Sequence, residues 1–316
     1  MQRQALIQRS GSMQLSYRKL FTDASSVEYS VIKTTGTRCL CLQGDRKVLP
    51  RIKKAYKSAQ FFYKAAPDNI FEPISINENI EGNLVNALFT YKDAGFLKDF
   101  LSVVPPEWQY AAGKKIGRIL KDLHSVPLTQ AQTEKANQRH SSYMEKIASY
   151  VAELPHLKND RIAMEAISTR YDYFSIFRPV MRYGSLKYQK IMTTHDGTIL
   201  MLPSYSYGPG CMCEDFASLE FENAALYPVL CAGVIDGYFS SVVPVKFWMH
   251  FALYCALYSL WKCALKAKES KEMYLKMQLN SDRIREDFDN FKKPIPTWYS
   301  NPELLKIKEK TIKLAL

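Results

Sequence analysis

The stretch from residue 178 to residue 219 constrains the fold of this chain more than any other segment. Apolar runs alternate in it with turn-forming residues. In chain order its motifs are Tyr183-Gly184-Ser185-Leu186, Lys190-Ile191-Met192, His195-Asp196-Gly197-Thr198, the apolar run 199–202, Gly208-Pro209-Gly210 and Asp215-Phe216-Ala217. The two apolar runs on either side of the Gly-containing turn predict a β-hairpin, because such turns join strands that are neighbours in sequence.

This order of motifs resembles the catalytic segment of the aminoglycoside phosphotransferase and choline kinase family, relatives of the protein kinases. In that family the segment reads His-Gly-Asp-Leu, then Asn-Ile-Leu, a hairpin turn, Ile-Asp and finally Asp-Leu-Ala. A second resemblance lies in residues 108–124, where small residues precede Leu123-His124 and Pro127 follows. The resemblance covers roughly residues 27–259 and implies an α+β, two-lobed protein-kinase-like fold. A small antiparallel sheet and a helix would form the first lobe, and the larger second lobe would be mainly helical.

The positions that carry the family's chemistry hold other residues here. The resemblance places Ser185 at the family's catalytic Asp and Tyr183 at the preceding His. Lys190 stands at the metal-binding Asn, and Pro203 or Ser204 stands at the metal-binding Asp. Phosphoryl transfer depends on a positioned nucleophile, metal ions and charge neutralisation. Because a lost general base alone costs roughly 10²–10⁴ in rate, the sequence favours a degenerate, pseudokinase-like protein for which no catalytic residue, metal site or cofactor is assigned.

The sequence is therefore compatible with two functions. The first is binding, as a scaffold or allosteric partner of another protein or peptide. The alternative is an ATP- and Mg-dependent phosphotransferase that acts on a small-molecule or peptide hydroxyl with displaced carboxylates. Asp196, Glu214 and Asp215 are the carboxylates nearby, and Asp196 and Asp215 are the candidates for such a site. Lys190 could neutralise a phosphate or a partner's carboxylate, or it could point into solvent.

The first lobe is predicted over residues 17–91, after an N-terminal tail of residues 1–16. Its predicted elements are strands at 27–33, 38–43, 70–76 and 84–91 and a helix at 50–66. The resemblance implies a phosphate-covering glycine loop and a phosphate-holding Lys, and neither has a clear counterpart. The candidate contacts in a nucleotide cleft are Ser25, Ser26, Gln43, Tyr91 and Lys190. The helix has no Glu to pair with a strand Lys, and its predicted outer face is basic, with Arg51, Lys53, Lys54 and Lys57.

The second lobe is predicted over residues 92–291, with 178–219 as its degenerate catalytic segment. Helices are predicted over 108–124, through most of 130–174, over 220–240, over 245–268 and over 271–291. The apolar run 247–261 contains His250 and is shorter than a membrane span, so a buried helix is expected. His124 is predicted to be a structural, capping histidine. Residues 292–316 are a basic tail with a short helix, expected to be mobile or to dock a partner.

The net charge of +12 favours an anionic partner. An acidic protein or peptide is the first prediction, a small anion is a second, and nucleic acid is a third that no recognised motif supports. A solvated basic surface explains the charge equally well. The first sixteen residues lack the features of a signal peptide, which predicts a cytoplasmic protein without a membrane span.

Seven cysteines, an odd number in a long chain, indicate reduced thiols. Cys39 with Cys41 and Cys211 with Cys213 form two Cys-x-Cys pairs. A zinc site built from four thiolates is conceivable, but structural zinc sites typically use a wider spacing. We therefore predict that these cysteines act as small buried hydrophobic residues.

Overall fold

The computed structural model describes residues 16–33, 36–79, 83–175, 179–240 and 242–314. The chain divides into two compact units, the first of residues 1–97 and 190–207 and the second of residues 98–189 and 208–316. The lobes predicted from the sequence are 17–91 and 92–291, whereas residues 92–97 and 190–207 group with the first unit. Of the predicted tail 1–16, only Ser16 is described, as the first residue of a strand.

The first unit contains a five-stranded antiparallel sheet in the order β1-β2-β3-β5-β4. Its strands are β1 Ser16–Thr22, β2 Glu28–Lys33, β3 Arg38–Asp45, β4 Pro73–Asn79 and β5 Leu84–Thr90. Helix α1, Leu49–Tyr63, packs on this sheet and buries Ile52, Ala55, Ala59 and Phe62. Pro50 lies in the first turn of α1, where a missing N–H leaves no helical hydrogen bond unmade. The predicted small sheet with one helix is therefore present.

A second, three-stranded sheet contains the predicted hairpin. It consists of β6 Ala94–Phe96, β8 Ile191–Thr194 and β9 Ile199–Met201, in the order β6-β8-β9. Gly197 in the hairpin turn has a φ of +78°, a conformation that residues with a Cβ rarely adopt. The pairing of β8 with β6, together with a 2.8 Å hydrogen bond from the Met201 N–H to the Asn69 carbonyl, explains why residues 190–207 belong to the first unit.

The second unit is mainly helical. Its helices are α2 Leu97–Leu101, α3 Pro106–Ser125, α4 Gln130–Glu153, α5 Asp160–Ser168, α6 Met212–Leu219, α7 Pro228–Phe239, α8 Val245–Leu257, α9 Cys263–Ala267, α10 Lys271–Asp287 and α11 Pro302–Leu314. Strands β7 Val180–Arg182 and β10 Gly208–Gly210 pair antiparallel. Helix α8 is almost entirely buried, as predicted for the apolar run. Within the described ranges, no helix combines the length and apolar character needed to cross a bilayer.

Helices α3 and α7 cross at backbone contact. Gly113 and Gly117 on α3 face Gly233 and Gly237 on α7, and a Cβ on any of the four would lie 2.1–2.3 Å from a backbone oxygen of the facing helix. The small residues of α3 that supported the family resemblance are thus the residues that allow this close packing. The crossing fixes the position of His124, near the C-terminal end of α3.

The C-terminal helix α11 packs on the second unit itself. Leu304 is buried against Tyr110 of α3 and Ala232 of α7. The ammonium of Lys308 lies 2.7 Å from a carboxylate oxygen of Asp236, which also accepts a hydrogen bond from the hydroxyl of Tyr110. The sequence of this tail predicts a short basic helix that is mobile or docks a partner. The helix instead docks on its own chain, because its apolar face covers Tyr110 and Ala232.

Candidate functional site

The loop between β1 and β2, residues 23–26, is folded around the side chain of Asp23. Its Oδ1 accepts hydrogen bonds from the backbone N–H groups of Ser25 at 2.9 Å and Val27 at 3.2 Å. This is the usual way in which an Asp side chain stabilises a turn. Ser26, one of the candidate contacts, has a φ of +63° and completes the reversal. The loop that the resemblance assigns to covering phosphate is therefore held by its own carboxylate.

The second oxygen of Asp23 contacts two residues that lie near opposite ends of the segment 190–207. Its Oδ2 lies 3.3 Å from Lys190 Nζ and accepts a hydrogen bond of 2.9 Å from the Tyr205 hydroxyl. Lys190 Nζ also lies 4.9 Å from the centre of the Tyr205 ring, and the Tyr205 hydroxyl lies 3.2 Å from Ser25 Oγ. We call Asp23, Ser25, Lys190 and Tyr205 the Asp23 cluster. Lys190 therefore does not point freely into solvent, as one sequence-based expectation had it; its side chain is 21% exposed and paired.

Gln43, near the expected position of a phosphate-holding Lys, faces a carboxylate. Its Nε2 donates a hydrogen bond of 2.5 Å to Oε1 of Glu28, which lies opposite it on strand β2. Burial acts to raise the pKa of Glu28, but hydrogen bonds from Tyr17, Gln43 and Lys19 outweigh it and lower the pKa. Glu28 is thus ionised at neutral pH, and its Oε2 is paired with the ammonium of Lys19 at 3.3 Å.

The remaining candidates of the first unit are engaged locally. The Tyr91 hydroxyl donates to the Ala94 carbonyl at 3.2 Å. Pro203 and Ser204 are buried, and Ser204 Oγ accepts from the Ser206 N–H at 3.2 Å. Asp196 lies exposed in the hairpin turn. Hydrogen bonds from Thr194 and Thr198 lower its pKa.

In the second unit, Asp215 holds the backbone that precedes Ser185. Its oxygens accept hydrogen bonds from the N–H groups of Tyr183 at 2.8 Å and Gly184 at 2.7 Å, and Oδ2 lies 3.0 Å from His124 Nε2. The carboxylate thereby connects α6 to α3 and to the end of β7. Tyr183 is fully buried, and this burial, reinforced by Asp215, raises its pKa, so its phenol stays protonated. Ser185, the residue at the family's catalytic position, follows directly and is partly buried.

Glu214 lies in a second polar cluster, which the sequence analysis did not predict. Arg139 donates to both its oxygens, with Nη2 at 2.8 Å from Oε2, and Arg182 Nη1 lies 3.2 Å from the same oxygen. The Tyr143 hydroxyl donates to Oε1 at 2.7 Å. Burial acts to raise the pKa of Glu214, but Arg182, Arg139 and Lys146 outweigh it and lower the pKa to about 2. Glu214 is therefore a permanently charged partner of arginines, not a poised general base.

Helix α4 brings three of these residues together. Arg139, Tyr143 and Lys146 follow one another at helical spacings of four and three, which places their side chains on one face. Thr129 fixes the start of α4 through a capping box with Gln132. The spacing was visible in the sequence, but its carboxylate partner lies 75 positions further along the chain from Arg139.

All four cysteines of the two Cys-x-Cys pairs are buried and unpaired. Burial raises the pKa of Cys41 to about 12 and raises that of Cys213 as well. Both thiols are therefore protonated at neutral pH, as expected of small buried hydrophobic residues. Among the described residues, no group of three or more His, Cys, Asp or Glu side chains converges in an arrangement that could hold a metal ion.

No known protein-family model matches this sequence, and no curated protein sequence matches it significantly. Solved structures do match. A thermostable mutant of aminoglycoside phosphotransferase APH(4)-Ia has a TM-score of 0.66 at 12% identity, over 90% of this chain and 98% of that chain. A GDP and kanamycin complex of an APH(2″) phosphotransferase has a TM-score of 0.62 at 12% identity, over 88% and 95%.

A microcompartment-associated aminopropanol kinase has a TM-score of 0.59 at 12% identity, over 92% of this chain and 97% of that chain. Likeness at such identities reports the fold. The chain therefore has the two-lobed, protein-kinase-like fold of the aminoglycoside phosphotransferases, which confirms the predicted fold class.

Proposed function

We propose that the protein acts by binding, as a catalytically degenerate phosphotransferase-like scaffold or allosteric partner of another protein or peptide in the cytoplasm. The observation that carries the proposal is the ion pair between Lys190 and Asp23. In the resembling family, position 190 holds an Asn, whose carbonyl oxygen is a ligand that Mg²⁺ accepts. An ammonium at this position repels a divalent cation, and here it neutralises a loop carboxylate instead.

The residues present do not fit a complex of nucleotide and magnesium. Ser185 stands at the position of the general base, and a serine hydroxyl near neutral pH cannot serve as one. Pro203 offers no side-chain oxygen, and the hydroxyl of buried Ser204 is used by the Ser206 N–H. Gln43 carries no charge and donates to Glu28, so it does not supply a cation for phosphate. The general base, the metal ligands and the phosphate-holding cation of the resembling family are thus all replaced by other residues in this chain.

Exposed positive charge supports an acidic partner. Helix α1 exposes Arg51, Lys53, Lys54 and Lys57, as predicted. Together with the net charge of +12, this face attracts acidic protein or peptide segments over about 10 Å at 0.1 M salt. Nucleic acid is a weaker proposal, because charge is its sole support.

Adding ATP and magnesium should leave the melting temperature of the protein unchanged. A ligand present at about 100 times its Kd stabilises the folded state by about 2.7 kcal/mol, so even weak binding is measurable at millimolar nucleotide. Thermal melts with ATP and magnesium, with ATP and EDTA, and with magnesium alone separate nucleotide binding from metal binding. A magnesium-dependent rise would contradict the proposal.

A variant that restores three family positions provides the control. Ser185→Asp, Lys190→Asn and Ser204→Asp together should give little phosphate transfer, because Gln43 and the Glu-free helix α1 still lack the phosphate-holding pair. Efficient ATP hydrolysis or transfer by this variant would show that the three positions alone set the activity. The unmodified protein would then be an enzyme inactivated by three substitutions, and the proposal that it acts by binding would be wrong.

An ATP-dependent phosphotransferase is the second candidate. It is favoured by the likeness to enzymes whose solved complexes hold GDP or ADP. Asp196 is bonded within its own turn and Asp215 holds backbone N–H groups, so Asp23 is the carboxylate that this function would recruit. It requires a magnesium-dependent thermal shift that is lost in Asp23→Asn.

A further inference from the structure

Positive charge exceeds negative charge around Glu214. Its two oxygens are already occupied by Arg139, Arg182 and Tyr143. Arg182 is 5% exposed, and among the described residues the Nε of its guanidinium is a buried donor without a hydrogen-bond partner. A buried, unmade hydrogen bond of a charged group is costly. Gly210 packs against this Nε, where a Cβ would lie only 2.5 Å away, so Arg182 contributes its charge while Arg139, with a side chain 37% exposed, is the guanidinium that an anion can reach.

Lys146 adds a further cation to this surface. Its ammonium lies 4.3 Å from the centre of the Tyr143 ring and 5.2 Å from the centre of the Trp261 ring. Among the described residues, no carboxylate lies within ion-pair distance of it. Burial lowers the pKa of Lys146, Glu214 opposes this, and Arg139, Arg182 and Lys262 lower it further, to about 8. Two aromatic faces hold the ammonium in place without neutralising it.

Lys262 is the fourth cation. It follows Trp261 directly in a π-helical segment, Tyr258–Lys262, between α8 and α9. Burial lowers its pKa, and neighbouring lysines lower it further against the opposing effect of Glu222 and Glu214. Arg139, Lys146, Arg182 and Lys262, which we call the cationic cluster, thus come from three separate elements and share Glu214 as their common carboxylate neighbour.

We propose that the cationic cluster binds the oxyanion group, phosphate or carboxylate, of a small-molecule ligand on the second unit. Glu214 already accepts from Nε and Nη2 of Arg139, so the excess positive charge of the cluster is what attracts the anion, and the ammonium of Lys146 adds a point charge. Glu214 orients Arg139 and Arg182, and the entering anion neutralises the charge that Glu214 leaves over. The site goes beyond the proposed binding of a protein partner, and it shares no residue with the Asp23 cluster.

Pyridoxal 5′-phosphate is a suitable probe, because it carries a phosphate and an aldehyde. The neutral lysine amine adds to the aldehyde, water leaves, and borohydride reduces the resulting imine to a stable secondary amine. At about pH 8 and limiting reagent, peptide mass mapping should find Lys146 labelled at least about tenfold more by pyridoxal phosphate than by pyridoxal, since the second reagent has the aldehyde without the phosphate. Pyrophosphate or citrate, at constant ionic strength, should protect Lys146, and the stronger protector identifies phosphate or carboxylate as the preferred group.

Arg139→Gln is the matched variant, because its side chain is 37% exposed. Loss of Arg139 raises the pKa of Lys146 and so slows labelling by both reagents, but the preference of Lys146 for pyridoxal phosphate over pyridoxal should fall severalfold. Arg118→Gln, the same change at an exposed position of α3, should alter neither. Equal labelling of Lys146 by the two reagents, or no protection by either anion in the unmodified protein, would overturn the proposal whether or not the variant folds. Neither result bears on the test with ATP and magnesium.

Discussion

Gly117→Ala should destabilise the second unit by about 3 kcal/mol or more. A Cβ at position 117 would lie 2.1 Å from the carbonyl oxygen of Val234 and 2.7 Å from the backbone nitrogen of Tyr238. These are backbone atoms of α7, which cannot rotate away as a side chain can. The two helices must therefore separate, and α3 carries His124 at the far end of the same contact.

Tryptophan fluorescence during urea unfolding measures the stability of the second unit, where Gly117 lies. All four tryptophans, Trp108, Trp248, Trp261 and Trp298, belong to the second unit. Gly208→Ala is the control, because a Cβ there meets no atom within 4 Å. If Gly117→Ala changed the free energy of unfolding as little as Gly208→Ala, the close helix crossing would have no energetic importance.

Local patterns predicted most of the elements correctly. The run around His195-Asp196-Gly197-Thr198 predicted the β8–β9 hairpin, and the small residues before Leu123-His124 supported the family resemblance that implied α3. Helix α1 followed from the spacing of its apolar residues. These signals succeed because each one depends on residues that are close together in the sequence. Element boundaries moved by a few residues, as for β4, which was expected at 70–76 and begins at Pro73.

Contacts between distant segments were not predictable in this way. Asp23 and Lys190 are separated by 167 positions. The sequence Asp23-Ala24-Ser25-Ser26 is typical of a turn held by its Asp, but nothing local indicates that the second carboxylate oxygen binds Lys190. The assignment of residues 190–207 to the first unit depends likewise on strand pairing with β6, which is distant in sequence.

The chemical role of Glu214 depends on its burial and its neighbours, which the sequence alone does not reveal. In the sequence it is one carboxylate beside Asp215, close to the displaced catalytic site that the alternative function would need. In the structure it is 4% exposed and bound by Arg139 and Arg182. The charge of the arginines makes it a poor proton acceptor, so its role is to neutralise and orient cations.

Glu214→Gln should remove about 3 kcal/mol of stability from the second unit at about pH 7, and most of this difference should disappear toward about pH 3. The folded-state pKa is lowered from 4.5 to about 2 by Arg182, Arg139 and Lys146, against the effect of burial. A lowered pKa means that the ionised group stabilises the fold above the unfolded value and that this contribution is lost as the pH falls from about 4.5 toward 2. A glutamine has no such charge. The free energy of unfolding of Glu214→Gln should therefore be lower than that of the unmodified protein at about pH 7, and it should fall less as the pH is lowered.

Urea unfolding followed by tryptophan fluorescence, at several pH values between about 7 and 3, tests this expectation. Glu145→Gln, an exposed change on α4, should give a curve parallel to that of the unmodified protein. A constant difference between Glu214→Gln and the unmodified protein across this range would mean that Glu214 does not titrate there, and that its contribution is packing alone. Convergence of the two curves at low pH would instead establish that the arginines hold Glu214 ionised, which is the condition under which the cationic cluster keeps its geometry for an incoming anion.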